Sequence, residues 1–222
     1  CGAEGSCTGE SAPPSGGGRI TLLEAPASAR SRVRWNLVYD HKRSDRQIAV
    51  GGASEVEGNA LELRHPLIAH VGMGNDWPAT AEISGILQVG RTLGARIADN
   101  VVTASRGGEA GFAIKTEAAA EIVGNVVRVD PSVTDASFPR ALVEAAGASR
   151  VRDNFAALRK GTHGVYAVGA ASLVSGNTIW SDSVDAWGTA ILAAAPGSQQ
   201  LVVSDNMLTG AGGCVGVLAG TF

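Results

Sequence analysis

Asparagine marks a repeat in this chain, and the repeat constrains the fold more than any other feature. Seven of the eight asparagines in the 222 residues have Val or Ile three positions earlier. Val and Ile fill 33 of the 222 positions. By chance, therefore, about one of the eight asparagines would have Val or Ile three positions earlier. The seven repeat members are Asn36, Asn59, Asn100, Asn125, Asn154, Asn177 and Asn206.

Short apolar stretches surround these asparagines. A large apolar residue follows six of the seven by two positions, and Asn154 has the smaller Ala156 there. Stretches such as "RQIAVGGA" and "GFAIKTEA" precede most of the turns. The asparagines are spaced by 23 to 41 residues, which excludes a strict hexapeptide or nonapeptide repeat. The pattern predicts a coil with loops of variable length, in which short strands gain stability by stacking about 4.8 Å apart.

A stacked coil explains why asparagine recurs. We expect the tight turn to need a left-handed backbone conformation, which Asn tolerates better than most residues. Its amide can donate to the next coil and accept from the previous one, forming a ladder. The Val or Ile three positions earlier is expected to point into the core. Glycosylation is a poor alternative, because no asparagine lies in an Asn-x-Ser/Thr sequon.

The residue before each asparagine alternates in kind. Asp99, Asp153 and Asp205 occupy this position on alternate coils, and glycines 58, 124 and 176 occupy it between them. Carboxylates two coils apart avoid the repulsion of like charges in contact. The interpretation that we favour is structural spacing rather than a catalytic carboxylate pair. Trp35 holds the same position before Asn36, where we expect it to cap the first coil.

Composition limits the classes of function. Aromatic residues make up only 5% of the chain and 30 residues are glycine, which suits narrow stacked β-structure. The net charge of −3 gives no basic field for nucleic acid, and no apolar run is long enough to span a bilayer. We expect a flexible Gly/Ser/Pro-rich segment at 1–18 and one β-helix domain at 19–222. Whether Cys1 and Cys7 form a disulfide stays open.

The repeat units resemble the right-handed parallel β-helix of the pectate-lyase-like superfamily. The resemblance covers roughly residues 17–222, and "GGGRITLLEAP" at 16–26 is similar to the entry strand of such helices. It implies an all-β fold, a single-stranded right-handed parallel β-helix (solenoid) of about seven coils with an asparagine turn ladder. This fold serves lyases, hydrolases, phage tailspikes and structural spines, so the resemblance specifies architecture better than activity.

The catalytic motifs of that superfamily are incomplete here. The resemblance would imply calcium-binding carboxylates with an Arg or Lys base in a lyase. In a galacturonan hydrolase it would imply Asn-Thr-Asp, paired Asp, Gly-His-Gly and Arg-Ile-Lys motifs. The sequence has only "GTHG" at 161–164 and "RIA" at 96–98, and it has no Asp-Asp pair. These departures argue against an enzyme.

Two loops are candidate ligand sites. The longest insertion, residues 61–80, contains His65, His70, Met73, Asp76 and Trp77. Long loops on a rigid scaffold commonly bind ligands, although this one also suits a loop packed over the helix flank. His65, His70 and Met73 could form a soft copper site, but their spacing is not diagnostic, and we expect no metal and no cofactor.

The second loop is flanked by tryptophans. Trp180 and Trp187 lie on either side of "SDSVDA", which holds Asp182 and Asp185. A tryptophan ring can stack on a pyranose while carboxylates bind its hydroxyls. Packing against a neighbouring loop or another subunit is the alternative.

The sequence favours a non-enzymatic structural or carbohydrate-binding β-helix module of a larger secreted, surface or phage-like assembly. The alternative is a polysaccharide lyase or glycoside hydrolase acting along the β-helix flank, with Arg64, His65, His70 and Asp76 as candidates. A third class is a self-associating spine, in which Val217 and Phe222 of the C-terminal coil pack against a partner chain or against a C-terminal segment that the sequence lacks. We expect polysaccharide and other chains as partners, and an extracellular, cell-surface or virion-associated location.

Overall fold

A computed structural model describes most of the repeat region. The described residues are 20–22, 32–39, 46–51, 54–63, 84–89, 95–104, 112–116, 118–129, 141–158, 163–168, 172–181, 189–195, 201–210 and 213–219. The predicted N-terminal segment 1–18 lies outside them. Within these ranges the chain forms strands and turns and contains no helix.

In the described ranges, 22 short strands build three parallel sheets. Sheet A contains β1 (Ile20–Leu22), β4 (Arg46–Gly51), β7 (Ser84–Val89), β10 (Phe112–Thr116), β13 (Ala141–Ala146), β16 (His163–Val168), β19 (Thr189–Ala195) and β22 (Gly213–Ala219). Sheet B contains β2 (Arg32–Arg34), β5 (Glu55–Glu57), β8 (Ala95–Ala98), β11 (Ala120–Val123), β14 (Arg150–Arg152), β17 (Leu173–Ser175) and β20 (Val202–Ser204). Sheet C contains β3 (Leu37–Tyr39), β6 (Ala60–Leu63), β9 (Val101–Ala104), β12 (Val126–Val129), β15 (Phe155–Leu158), β18 (Thr178–Ser181) and β21 (Met207–Gly210).

The chain visits the three sheets in turn, which makes it a parallel β-solenoid. Each strand pairs only with the strands three positions before and after it in chain order. Three strands therefore make one turn, and equivalent strands stack eight deep in sheet A and seven deep in sheets B and C. The predicted all-β parallel solenoid is confirmed, whereas the right-handed sense of the coil stays a prediction.

The core lies between the three sheets. The Val or Ile three positions before the turn asparagine is fully buried on the inner turns, as in Ile97, Ile122 and Val151. The apolar residue two positions after the asparagine is buried as well, for example Val102 and Val127. The predicted core position of the Val or Ile is confirmed, and the structure adds the apolar residue after the asparagine as a second core position. Successive side chains of a strand point to opposite faces, so the residues between them face outward.

The asparagines form the predicted ladder at the turn between sheets B and C. The Asn125 amide nitrogen Nδ2 donates to Asn154 Oδ1 at 3.0 Å, to Ile97 O at 2.9 Å and to Val123 O at 3.2 Å. Its Oδ1 accepts from the backbone N of Asn100 at 3.0 Å and from Asn100 Nδ2 at 2.9 Å. Each amide thus donates to the next turn and accepts from the previous one. A column of buried polar groups is thereby satisfied.

The expected left-handed conformation falls one residue earlier than the sequence predicts. The prediction that the asparagine itself adopts it was wrong: positive φ angles occur at the preceding residues, including Asp99 (φ 56°) and Gly124 (φ 67°). The asparagine is held instead by its three side-chain donor contacts. Its amide must point into the turn, and the residue before it takes the strained backbone angle.

Side chains at this left-handed position explain the alternation of aspartate and glycine. The Asp99 carboxylate lies where a Cβ on Gly124 of the next turn would be, and Asp153 lies in the same way against Gly176. The Trp35 ring occupies the equivalent space against Gly58, and 75% of its surface is exposed. A large residue at the left-handed position of one turn therefore requires glycine at the same position of the next turn. This steric reason for the alternation adds to the separation of like charges.

Candidate binding face

Most of the residues that the sequence suggests as ligand contacts lie outside the described residues. This holds for His65, His70, Asp76 and Trp77 of the long insertion, and for Asp182, Asp185 and Trp187 of the second loop. Trp180 is described, and it lies on β18, on the outer face of sheet C. Its indole is exposed over 43% of its surface. The proposed role of the other seven residues stays a prediction.

The outer face of sheet C carries a continuous column. Parallel register aligns the residues that directly follow each turn asparagine: Leu37, Ala60, Val101, Val126, Phe155, Thr178 and Met207. Six of these seven are apolar, and all are exposed or half-buried. At about 4.8 Å between neighbouring strands, the column spans about 29 Å. Apolar residues that face outward in one line mark a surface for contact rather than a core.

At its C-terminal end the column widens into a group of residues that we call the sheet C patch: Phe155, Thr178, Trp180, Met207 and Thr209. Trp180 pairs in register with Ala157 on one side and with Thr209 on the other. The small Ala157 leaves room beside the ring. Phe155 and Met207 lie on the diagonals, within reach of an aromatic side chain. Phe155 is 39% exposed and Met207 is 55% exposed.

Polar groups border the apolar column. The second outward column of sheet C places Thr103, Arg128, Ala157, Trp180 and Thr209 in register. The Arg128 Nε atom donates to Thr103 Oγ1 at 3.0 Å, which orients the exposed guanidinium along the sheet. Hydroxyls and a guanidinium next to an aromatic ring are groups that can bind a polar ligand with an apolar face.

Sheet B presents a different outer face, on which charges alternate. Register aligns Arg32, Glu55, Arg96, Glu121 and Arg150 in one column, so that opposite charges neighbour each other. The Arg32 Nε atom is 3.0 Å from Glu55 Oε2, and Arg96 Nε is 3.5 Å from Glu121 Oε2. These groups pair with one another along the stack, so the charged residues of this face are explained without a bound ligand.

Glu121 of this face contacts two arginines, Arg96 and Arg152. Hydrogen bonds from Arg152, with Nη2 2.8 Å from Glu121 Oε1, lower the pKa of Glu121 below its ordinary value, and the charge of Arg96 adds to the effect. Glu121 and Asp153 in turn raise the pKa of Arg152. Both groups therefore stay ionised near neutral pH. They stabilise the stack rather than supply a general acid or base.

The sequence analysis predicted neither the apolar column of sheet C nor a half-buried ion pair on sheet A. Lys115 Nζ lies 3.4 Å from Glu144 Oε1 on neighbouring strands, with about one-sixth of each side chain exposed (17% and 14%). Aligning the repeats on their asparagines and reading the next residue would have revealed the column. The ion pair has no comparable signal, because it depends on the register of β10 and β13.

No group of three or more His, Cys, Asp or Glu side chains that could hold a metal occurs among the described residues. In the same part of the chain, no helix is long and apolar enough to cross a membrane. Comparisons with protein-family models, with curated proteins and with solved structures found no match. The arguments about function therefore rest on the chain itself.

Proposed function

We propose that this protein is a non-enzymatic structural and carbohydrate-binding β-solenoid module, and that polysaccharide binds along the outer face of sheet C. The observation that carries the proposal is the exposed apolar column that ends at the sheet C patch. The asparagine ladder holds the strands beneath it at fixed spacing, so the ligand meets a preformed surface. A preformed surface lowers the entropic cost of binding.

The chemistry of the patch suits a sugar. One face of a pyranose presents C–H groups that pack on an indole, and Trp180 offers its ring outward between Ala157 and Thr209. The hydroxyls of Thr178 and Thr209 and the Arg128 guanidinium are available to the equatorial hydroxyls. An extended polysaccharide can continue along the column, which is apolar at six of its seven positions over about 29 Å.

The wider assignment of the protein is also a proposal. We place it among distant members of the pectate-lyase-like superfamily, supported by three parallel sheets, one strand per sheet in each turn, and the stacked asparagines. A secreted, cell-surface or virion-associated assembly is the setting in which such a module would meet polysaccharide. A crystal structure with a left-handed coil would remove the superfamily assignment while leaving the proposed binding face in place.

A glycan array on the purified protein, with a reducing-end assay on every polysaccharide that binds, tests the function. We expect binding without release of reducing ends. Trp180→Ala should weaken binding at least tenfold, a loss of about 1.4 kcal/mol. Trp35→Ala is the matched control, because it removes another exposed tryptophan from the opposite end of the solenoid. Equal loss in both variants, or no bound glycan, would refute the proposal, and cleavage would favour a lyase or hydrolase instead.

A further inference from the structure

Two features along sheet C repeat on every second turn of the solenoid rather than on every turn. The first is the left-handed position at the border of the sheet, where Asp99 and Asp153 are separated by Gly124 of the turn between them. The Asp99 carboxylate fills the place that a Cβ on Gly124 would take, so a side chain fits here only on alternate turns. Two strand spacings separate successive aspartates by about 9.6 Å.

The second feature is the apolar column, in which exposed and half-buried residues alternate. Val101 and Phe155, which follow the two aspartates by two positions, are each 39% exposed. The column residues of the turns next to them are half-buried: Ala60, Val126 and Thr178. Column side chains point away from the core, so core packing does not dictate their size. The most exposed apolar groups of the inner turns therefore lie on the same turns as the carboxylates.

A surface with this repeat matches a polymer whose own chemistry repeats at every second unit. In an extended β-1,4-linked polysaccharide each sugar is turned over relative to its neighbour, so every second sugar presents the same face and the same hydroxyls. Each sugar also advances the chain by nearly the distance between neighbouring strands, which keeps the chain in step with the column over several turns. An α-1,4-linked chain coils instead and leaves a straight column after a few sugars.

The charges beside the column select against ionic polysaccharides. Asp99 is exposed and takes part in no ion pair within the described part of the chain. Asp153 pairs with Arg152 at 2.9 Å, and 57% of its side chain is still exposed. A uronate or sulfate group at this border would meet a like charge, which disfavours a wrong partner. On the opposite border of the column, the exposed Arg128 opposes an ammonium group in the same way.

We propose that the ligand of the sheet C face is an uncharged β-1,4-linked polysaccharide, and that Asp99 and Asp153 determine this specificity by accepting hydrogen bonds from every second sugar. The apolar faces of those sugars pack on Val101 and Phe155, and the sugars between them lie over the half-buried residues. Both pairs of aspartate and apolar residue lie on inner turns, where a stacked turn on each side fixes their geometry. This inference rests on the proposed sugar-binding function, which it narrows to one class of ligand.

Titration calorimetry of the full chain with oligosaccharides of defined linkage, charge and length tests the specificity. We expect cellohexaose, a β-1,4-linked chain of glucose, to bind about tenfold more tightly than maltohexaose, its α-1,4-linked counterpart. The β-1,4-linked hexamers of glucuronate and of glucosamine should also bind about tenfold more weakly than cellohexaose. When the cello-oligosaccharide is lengthened, affinity should rise in steps of two sugars, because every second sugar reaches a further aspartate.

A variant of the border tests the role of the carboxylate. Asp99→Asn keeps the shape of the side chain and tolerates the left-handed backbone conformation. We expect it to bind the glucuronate hexamer about threefold more tightly than the wild type does, because one like charge is removed, and to gain no affinity for cellohexaose. Glu55→Gln removes the same charge from the outer face of sheet B and is the control that should change neither affinity.

The outcomes separate this inference from the proposed function. If maltohexaose or a charged hexamer binds as tightly as cellohexaose and Trp180→Ala weakens that binding, the specificity is refuted while sugar binding on sheet C stands. If no oligosaccharide binds, or if Trp180→Ala leaves binding unchanged, both are refuted. An Asp99→Asn variant that discriminates against glucuronate as strongly as the wild type would refute the role of Asp99.

Discussion

Sheets B and C flank the same asparagine turn, consist of equally short strands of three or four residues and point equivalent residues into one core, yet their outer faces differ. One outward column of sheet B alternates arginine and glutamate over its first five strands, where opposite charges pair along the stack, and then continues with Leu173 and Val202. Sheet C exposes an apolar column that runs from Leu37 to Met207 and ends at the sheet C patch, beside Trp180. The difference teaches that stacking fixes the inner faces and the turn, while the outer faces can serve different purposes.

Breaking the element that both sheets share should have the largest effect. Asn125→Ala removes a buried side chain whose two amide hydrogens are shared among three acceptors and whose Oδ1 accepts two hydrogen bonds. Several buried polar groups lose their partners, so we expect a loss of about 4 kcal/mol in the free energy of unfolding, measured by chemical denaturation. Asn206→Ala, on the last turn, should cost only about 1.5 kcal/mol because its surroundings reach solvent. Similar losses at the two positions would contradict the ladder as the source of stability.

A smaller loss is expected from the left-handed position that precedes the asparagine. Gly124→Ala introduces a Cβ into space filled by the Asp99 carboxylate, and it places a side chain at φ 67°. We expect a loss of about 2 kcal/mol in the free energy of unfolding. In an Asp99→Gly background the clash disappears and only the backbone strain of about 1 kcal/mol should remain. If Gly124→Ala lowers the free energy of unfolding by the same amount in the Asp99→Gly background, the Asp99 side chain is not the reason why residue 124 is glycine.

An effect confined to sheet C is expected from Phe155→Ala. The side chain lies on the outer face, so the free energy of unfolding should change by no more than about 1 kcal/mol. Glycan affinity should fall about tenfold, because the ring borders Trp180 in the sheet C patch. Val202→Ala, an exposed apolar residue on sheet B, is the control and should leave binding unchanged. Glycan titrations that show the same loss of affinity for Phe155→Ala and Val202→Ala would contradict the distinction between the two faces.

The smallest effect should be confined to sheet B and should depend on pH. The pKa of Glu121 in the folded protein lies below its unfolded value, so its ionised form stabilises the fold above the unfolded pKa of about 4.5. Because Glu121 is partly solvated, Glu121→Gln should cost only about 0.5 kcal/mol at pH 7. The difference should vanish as the pH falls through the folded pKa, and 1 M salt should reduce it. Urea denaturation of the wild type and of Glu121→Gln across a range of pH measures this difference. A difference in the free energy of unfolding that persists in acid would contradict this origin.

The asparagine repeat allowed the solenoid, the ladder and the inward-facing Val or Ile to be predicted, because stacking imposes one residue type at one place on every turn. The left-handed residue was assigned one position too late. Sequence spacing alone does not separate the role of an amide donor from that of the strained backbone beside it. The side-chain bonds of Asn125 and the φ angle of Gly124 separate the two.

The candidate site was harder to predict for a physical reason. In the sequence, a segment such as 64–80 attracts attention because it concentrates histidine, tryptophan and aspartate, whereas the sheet C column is built from one residue of each turn. Phe155, Thr178 and Met207 are 23 and 29 residues apart in sequence and become neighbours only through register. A function that resides on a stacked face is visible once the repeats are aligned, and Trp180 was found in advance only because it also borders a loop.

Hydrogen exchange with a bound oligosaccharide, read strand by strand, tests the central claim that sheet C is the binding face and sheet B is structural. We expect added protection at β15, β18 and β21, where the sheet C patch lies, and no change at β11 and β14 of sheet B. Protection that follows sheet B, or that spares both sheets while the glycan is bound, would contradict the account.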